Sequence, residues 1–267
     1  MQKLLIIGFV WPEPTTTAAG GRMTQLIHYF LEEDYNITFA CAAATSNYAA
    51  NLKELGVSVA EIELNSDSFD VFVSNLQPTH ILFDRFLTEE QFGWRVAEQA
   101  PNAIRILDTE DLHFLRKARE EAHKKGTEVT NSDLLNSNVA KREIASIYRC
   151  DLSLIISDYE MELLQSIFKV HKNLLLHLPF MLDEIGEEQP NDWTPFEERN
   201  NFVCIGNGKH APNVDAIKWL KTEIWPDIKK QLPKAELHIY GAYFSQQISD
   251  LHNVKDGFLI KGWAEDI

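Results

Sequence analysis

The sequence predicts an α/β architecture with parallel sheets, and three observations carry that prediction. Short apolar runs alternate with helix-like segments along nearly the whole chain. The runs are apolar without interruption, as strands buried on both faces are. Glycine-containing or polar loops follow several of them, where open parallel sheets carry their ligands. Two units are expected. Residues 1–182 hold enough strands for a complete doubly wound domain, with a helical insertion at 111–149. Residues 183–200 read as a linker, and residues 201–267 hold three strands at most, about half of a second domain.

Leu4–Phe9 is the first strand, followed by a Pro- and Thr-rich loop at 10–19. Gly20-Gly21 opens a helix through Leu31, with Met23, Leu26, Ile27 and Phe30 at helical spacing. Ile37–Ala42 is a strand, Asn47–Leu55 a helix closed by Gly56, and Val57–Leu64 a strand. Ser68–Leu76 is a short helix. His80–Phe83 is a strand ending in Asp84-Arg85, and Glu89–Ala100 is a helix stopped by Pro101. Ile104–Leu107 is a strand ending at Asp108. The charged stretch from Asp111 to Arg149 reads as a helical pair interrupted around 126–131. Leu152–Ile156, Tyr159–Phe168 and Leu174–Leu178 resume the strand–helix–strand rhythm. The acid-rich segment Asp183–Arg199, with Pro190 and Pro195, reads as a solvated connection. The second unit runs Phe202–Ile205 strand, 206–212 loop, Val214–Leu232 helix, Glu236–Tyr240 strand, a weak helix near 245–251, and Phe258–Ile260 strand. Trp219 and Trp225 are both expected to face the core. Three strands leave an uncovered face, which predicts self-association or a chain continuing past Ile267.

The 267 residues carry a net charge of −15, from 40 acids against 25 bases. That excludes a general nucleic-acid binder, which needs a basic footprint for phosphates. It also excludes a broad polybasic membrane surface, though not a local peripheral patch. No apolar run reaches the roughly 20 residues that cross a bilayer. The apolar start up to Trp11 is short and stopped by Pro12-Glu13-Pro14, so it reads as a buried strand. Cys41, Cys150 and Cys204 form no CxxC and each lies in or beside an apolar run. They read as buried thiols of a reducing, cytoplasmic protein.

The candidate site residues lie in the loops after strands. Gly20-Gly21 lets backbone N–H groups approach an anion at a helix start, or serves only as a tight turn. It is not GxGxxG, so no dinucleotide cofactor is expected. Asp108, Asp111 and His113 cluster past the fifth strand. The imidazole could exchange a proton near neutral pH, with a carboxylate orienting it. Alternatively Asp111 caps the next helix and His113 is a half-exposed helical residue. Ser157 reads most simply as an N-cap. Gly206-Asn207-Gly208-Lys209-His210-Ala211-Pro212-Asn213 reads either as a phosphate-binding loop with Lys209 as its point charge, or as a flexible turn. No HxH or HExxH pattern points to a metal, and there is no GxSxG elbow or P-loop.

The run from Phe202 through Gly206, Lys209, His210, Pro212 and Asn213 to Trp219 resembles the start of the donor-binding domain of GT-B glycosyltransferases. The resemblance is to the large bacterial group that builds surface polysaccharides from nucleotide sugars. Trp225-Pro226, Leu237–Gly241 and Ile260–Trp263 with Asp266 continue it. Asp108-Thr109-Glu110-Asp111-Leu112-His113-Phe114-Leu115-Arg116 resembles the acceptor-domain segment, Gly20-Gly21 its first glycine loop, and Ser157–Glu160 its last helix there. The resemblance implies two Rossmann-like domains and sugar transfer from a nucleotide-sugar donor to a glycan or lipid-linked acceptor. It implies no cofactor, no metal, and mostly retention of configuration. Gly20, Gly21, Gly206, Lys209, His210 and Asn213 would bind the donor's phosphates, with Gly20-Gly21 and Lys209 facing each other across an interdomain cleft. His113, Asp111 and Asp108 would serve catalysis on the acceptor side, in the cytoplasm or at the inner face of the membrane. The family's two-glutamate donor motif has no counterpart before Ile267, so the donor site is expected to be incomplete. A non-catalytic remnant or partner subunit of this fold, or a sugar-nucleotide epimerase, are the competing readings.

Overall fold

Continuous apolar runs form the strands of two parallel sheets. The structure, a computed structural model, describes residues 2–182 and 193–265. The chain runs β1 (Lys3–Gly8), α1 (Ala18–Glu32), β2 (Asn36–Cys41), β3 (Ser58–Glu61), α2 (Ser68–Leu76), β4 (His80–Asp84), α3 (Arg85–Gln99) and β5 (Ile104–Asp108). It continues α4 (His113–Lys125), α5 (Asn131–Asn136), α6 (Asn138–Arg149), β6 (Leu152–Ile155), α7 (Asp158–Ser166) and β7 (Leu175–His177). These strands make one parallel sheet in the order β3-β2-β1-β4-β5-β6-β7. The order reverses between β1 and β4. Such a reversal opens a crevice outside the carboxyl ends of the strands. Within β1, Leu5 and Ile7 enter one core and Leu4 and Ile6 the other, so the strand is buried on both faces.

The second sheet follows from β8 (Phe202–Ile205), α8 (Ala211–Trp219), α9 (Trp225–Gln231), β9 (Leu237–Tyr240), α10 (Gln246–Ser249) and β10 (Phe258–Gly262). Its order is β10-β9-β8, again parallel. Ile217, Trp225, Leu237, Ile239, Ile248 and Phe258 fill its core. Two compact units result: Met1–Pro12 with Gly21–Met181, and Glu13–Gly20 with Leu182–Ile267. The segment Glu13–Gly20 thus groups with the second unit, although it lies between β1 and α1 in sequence. Most of the acidic connection, and Asp266, lie outside the described residues.

Several sequence expectations are corrected. Residues 47–55 form successive turns, not a helix. Ala50 N donates to Pro12 O at 2.8 Å and Val57 N to Leu52 O at 3.0 Å, so these amides leave the i−4 pattern, while Leu52 is buried as an anchor. The expected helical pair is three helices. Thr130 and Asp133 form a capping box at α5, and Ser137 caps α6, so each start is separately specified. α3 starts at Arg85 because β4 passes into it directly through Arg85 in the left-handed region, φ 71°. The expected helix 214–232 is α8, a π-helical turn at Leu220–Ile224, and α9. Trp219 is 58% exposed, whereas Trp225 is buried and donates to Asp256 O at 2.6 Å. Ile217 takes the inward face of α8, and two residues further on the helix has turned by more than half a revolution. Cys41 and Cys150 are buried, but Cys204 is only partly so, since β8 is an edge strand. Among the described residues no helix is long and apolar enough to cross a membrane.

Candidate functional site

The carboxyl ends of β4 and β5 in the first unit carry a group of buried ionisable side chains. Their last residues, Asp84 and Asp108, are register partners, so the two carboxylates start from neighbouring positions. Both are buried. Asp84 Oδ2 accepts from Phe9 N at 2.9 Å, and its Oδ1 lies 3.3 Å from Arg85 Nε. The Arg85 guanidinium in turn covers the Phe9 ring at 5.1 Å. Burial pushes the Asp84 carboxyl up from its usual range, against the opposing pull of Arg85. Asp108 accepts from Arg22 Nε at 3.0 and 3.2 Å, and both side chains are fully enclosed. Arg22 Nη1 also donates to Leu178 O at 2.8 Å and Pro179 O at 3.3 Å, tying α1 to β5 and to the chain beyond β7. Burial raises Asp108 to about 6, Arg22 opposing and Asp84 adding to the rise. Glu110 is raised to about 8 by burial and by Asp108 and Asp84.

Arg85 and Glu110 are both non-glycine residues with positive φ, 71° and 63°, at the ends of adjacent strands. Left-handed backbone costs a side-chain-bearing residue about 1–2 kcal/mol, and such strain gathers at functional sites.

His113 opens α4 beside this group. Its Nε2 lies 3.5 Å from Asp111 Oδ1, while Asp111 Oδ2 lies 3.5 Å from Arg116 Nε. Its ring meets the Phe86 ring edge-on at 5.5 Å. Burial, then Arg116 and Arg85, lower the imidazole to about 3. It is therefore neutral at physiological pH and suited to hydrogen bonding rather than to donating a proton as an acid. Asp111 does not cap α4; the N-cap position is Leu112, which has no side-chain cap bond. Asp108 is enclosed with Arg22 and is also met by a backbone hydrogen bond from Glu110. Ser157 caps α7, its hydroxyl accepting from Glu160 N.

In the second unit the loop from Gly206 to Asn213 joins β8 to α8. A Cβ at Gly208 would lie 2.6 Å from Tyr243 O, and one at Gly241, φ 157°, would overlap Gly206 O. The glycines therefore permit close packing of this loop on residues 241–244. Gly206 N donates to Tyr240 O at 3.0 Å, Gly208 N to Ala242 O at 2.8 Å, Lys209 N to Asn207 Oδ1 at 2.8 Å and His210 N to Asn207 O at 3.2 Å. Those amides are thus engaged within the protein, and the side chains of Lys209 and His210 are what the loop offers outward. The Lys209 ammonium stands 3.6 Å from the Tyr243 ring centroid. Asn213 Nδ2 donates to Asn207 O at 3.2 Å.

The 13–20 segment is held within the same unit. Asn207 Nδ2 donates to Thr16 O, Tyr243 Oη to both Glu13 carboxylate oxygens, and Trp263 Nε1 to Thr15 O. Gly20 N donates to Thr17 Oγ1 at 2.9 Å, and a Cβ at Gly20 would overlap the Glu13 backbone. Gly21 follows it in the first turn of α1. Among the described residues no group of three or more His, Cys, Asp or Glu could hold a metal ion.

Sequence reasoning missed Arg22, Arg85, Glu143 and Glu160. Arg22 lies four residues before Leu26 on the apolar stripe of α1, and Glu143 lies between buried Ala140 and Ile147 on α6. A charge on a core-facing stripe signals a buried partner.

No family model matches this sequence, and no curated protein sequence matches it significantly. Solved structures do match its fold. Sucrose-phosphate synthase from Thermosynechococcus elongatus aligns at 13% identity and TM-score 0.57, over 92% of this chain and 64% of its own. The lipopolysaccharide outer core galactosyltransferase WaaB aligns at 13% identity and TM-score 0.52, over 98% of this chain and 68% of its own. A variant of S. aureus TarM, in complex with fondaparinux, α-GlcNAc-glycerol and UDP, aligns at 8% identity and TM-score 0.64, over 99% of this chain and 78% of its own. These neighbours are GT-B glycosyltransferases, and the fold of this chain is the GT-B fold. The chain spans 64% of the length of the synthase, a little under two thirds.

Proposed function

We propose that the chain is the larger part of a glycosyltransferase that moves a sugar from a nucleotide-sugar donor to a glycan or lipid-linked acceptor in surface-polysaccharide synthesis. The observation that carries this reading is the match of both sheets to glycosyltransferases over 92–99% of the chain. In the transfer, the bond from the sugar's anomeric carbon to the diphosphate oxygen breaks. A bond to an acceptor hydroxyl oxygen forms, the hydroxyl proton is lost, and the diphosphate leaves with its negative charge. We assign the diphosphate to Gly206, Lys209, His210 and Asn213, with Gly20-Gly21 as a further phosphate loop; a cation and a helix start stabilise the developing charge. Sugar hydroxyls are assigned to His113 with Asp111, while Asp108 holds Arg22 in place behind them. A cytoplasmic location, with the acceptor met at the inner face of the membrane, accords with this substrate class. Self-association through β8 is part of the proposal, because Val203 and Ile205 are 57% and 60% exposed on that edge.

One observation favours the non-catalytic reading: four loop amides from Gly206 to His210 are already satisfied by protein acceptors. Turnover of UDP-glucose, UDP-galactose and UDP-N-acetylglucosamine with lipid and glycan acceptors separates the two. The transferase reading expects UDP release that His113→Ala lowers by at least about tenfold, with its melting midpoint near that of the wild type. Acceptor-independent release, or release unchanged by His113→Ala, overturns the assignment of His113.

A further inference from the structure

The first amides of a helix have no partner inside it. At α4 they are met by two buried glutamates distant in sequence. Glu143 Oε1 accepts from His113 N at 3.1 Å, and its Oε2 accepts from Phe114 N at 2.9 Å. Glu160 Oε1, on α7, accepts from the preceding Leu112 N at 3.0 Å. Glu143 is fully buried. The two N–H groups favour its ionised form, but burial outweighs them and raises the carboxyl to about 8.

The helix that delivers Glu143 is itself fixed. Arg142 donates to Glu90 Oε1 at 2.9 Å and Oε2 at 2.5 Å. Arg149 donates to Glu89 Oε1 at 2.8 Å and Oε2 at 3.0 Å. These pairs bracket Glu143 along α6 and tie α6 to α3. The Arg142 guanidinium also covers the Phe86 ring at 5.4 Å, the same ring that His113 meets on its edge. α3 and α6 thus form a frame against which the start of α4 is set.

We propose that Glu143 is a positioning residue: its carboxyl group clamps the backbone of His113 and Phe114, and so sets the imidazole beside Asp111. The α5–α6 insertion is the arm that carries the clamp. This rests on the reading of His113 as a substrate contact. The groups facing His113 are Asp111 and Arg116 on its own segment, Arg85 from α3, and Glu143 from α6, with Glu160 from α7 one residue back. Burial against this frame holds the imidazole low, at about 3. Releasing the clamp should expose the ring and let it titrate closer to its ordinary value.

The test uses the full chain labelled with ¹⁵N and with ¹³C-histidine. In the wild type, the His113 and Phe114 amides should exchange with solvent at least about tenfold slower than in an unfolded peptide, a protection no other helical partner supplies. In Glu143→Gln, one N–H faces the new amide group in place of an oxygen. The His113 and Phe114 amide signals should move, and the His113 titration midpoint should rise by at least about one pH unit toward 6.5. With a UDP-sugar that the wild type turns over, kcat should fall by about tenfold or more while the donor KM stays within about threefold. A Glu143→Gln protein that melts earlier but keeps the wild-type His113 titration overturns the proposal, because Glu143 is then structural only. If Glu143→Gln does not fold, unprotected His113 and Phe114 amides in the wild type overturn it. Exchange and titration are read without substrate, so absent turnover would count against the transferase reading and leave the clamp to these signals.

Discussion

Replacing Arg22 by Met strands Asp108. Both side chains are fully buried, and the guanidinium also serves two backbone carbonyls. Two costs follow. Loss of the bonds to the partly buried Leu178 O and to Pro179 O costs about 0.5–1.5 kcal/mol each at any pH. The second cost depends on pH. In the wild type Asp108 ionises at about 6, above the ordinary carboxylate value, so its contribution to stability is greatest at low pH and declines as pH rises through about 6. Without Arg22 the carboxyl must stay protonated well above that pH. Each unit of pH then costs the variant about 1.4 kcal/mol that the wild type no longer loses, so between about 6 and pH 8 the gap widens by about 2.7 kcal/mol. Urea denaturation followed by circular dichroism at pH 5 and pH 8 measures both parts. The expected result is a moderate loss at pH 5 and a loss larger by about 2–3 kcal/mol at pH 8. Arg22→Met combined with Asp108→Asn should remove the widening of the loss between pH 5 and pH 8. Equal losses for Arg22→Met at the two pH values would refute the reasoning.

Two further outcomes follow from burial and exposure. Glu110 and Glu143 are raised to about 8 chiefly by burial, and Asp108 to about 6, so each favours the folded state most when protonated. The urea midpoint of the wild type should therefore fall between pH 5 and pH 9, and a rising midpoint contradicts it. On the edge strand β8, Val203→Lys with Ile205→Lys should convert a self-associated wild type into a monomer by sedimentation velocity. A wild type that already sediments as a monomer contradicts that edge as a self-association site.

The strands were legible because parallel strands buried on both faces leave an unbroken apolar signature. Leu4–Ile7 and Ile81–Phe83 show it directly. Residues 47–55 misled because apolar spacing over so short a segment does not say where the amides bond; Ala50 bonds to Pro12, far away in sequence. The split of 111–149 into three helices was written in Thr130, Asp133 and Ser137, whose capping outweighed the apparent continuity. The neighbourhood of His113 was visible as a polar cluster past β5. What holds it was not, because Arg22, Glu143 and Glu160 reach it from α1, α6 and α7. Local spacing records a charge on an apolar stripe but not the partner across the fold. Likewise the 206–213 loop reads in sequence as a phosphate loop or a flexible turn, and spacing alone does not show that Gly208 lets it pack closely on Tyr243.

Titration of UDP into the ¹⁵N-labelled full chain, read by backbone and Lys, His and Asn side-chain shifts, tests the central claim most directly. A nucleotide-sugar transferase with this fold should show saturable shifts centred on Gly206, Lys209, His210 and Asn213, with dissociation near or below about 1 mM, equivalent to about −4 kcal/mol. Shifts that stay linear in UDP, or that saturate elsewhere and leave residues 206–213 unmoved, would contradict nucleotide-sugar binding by this loop.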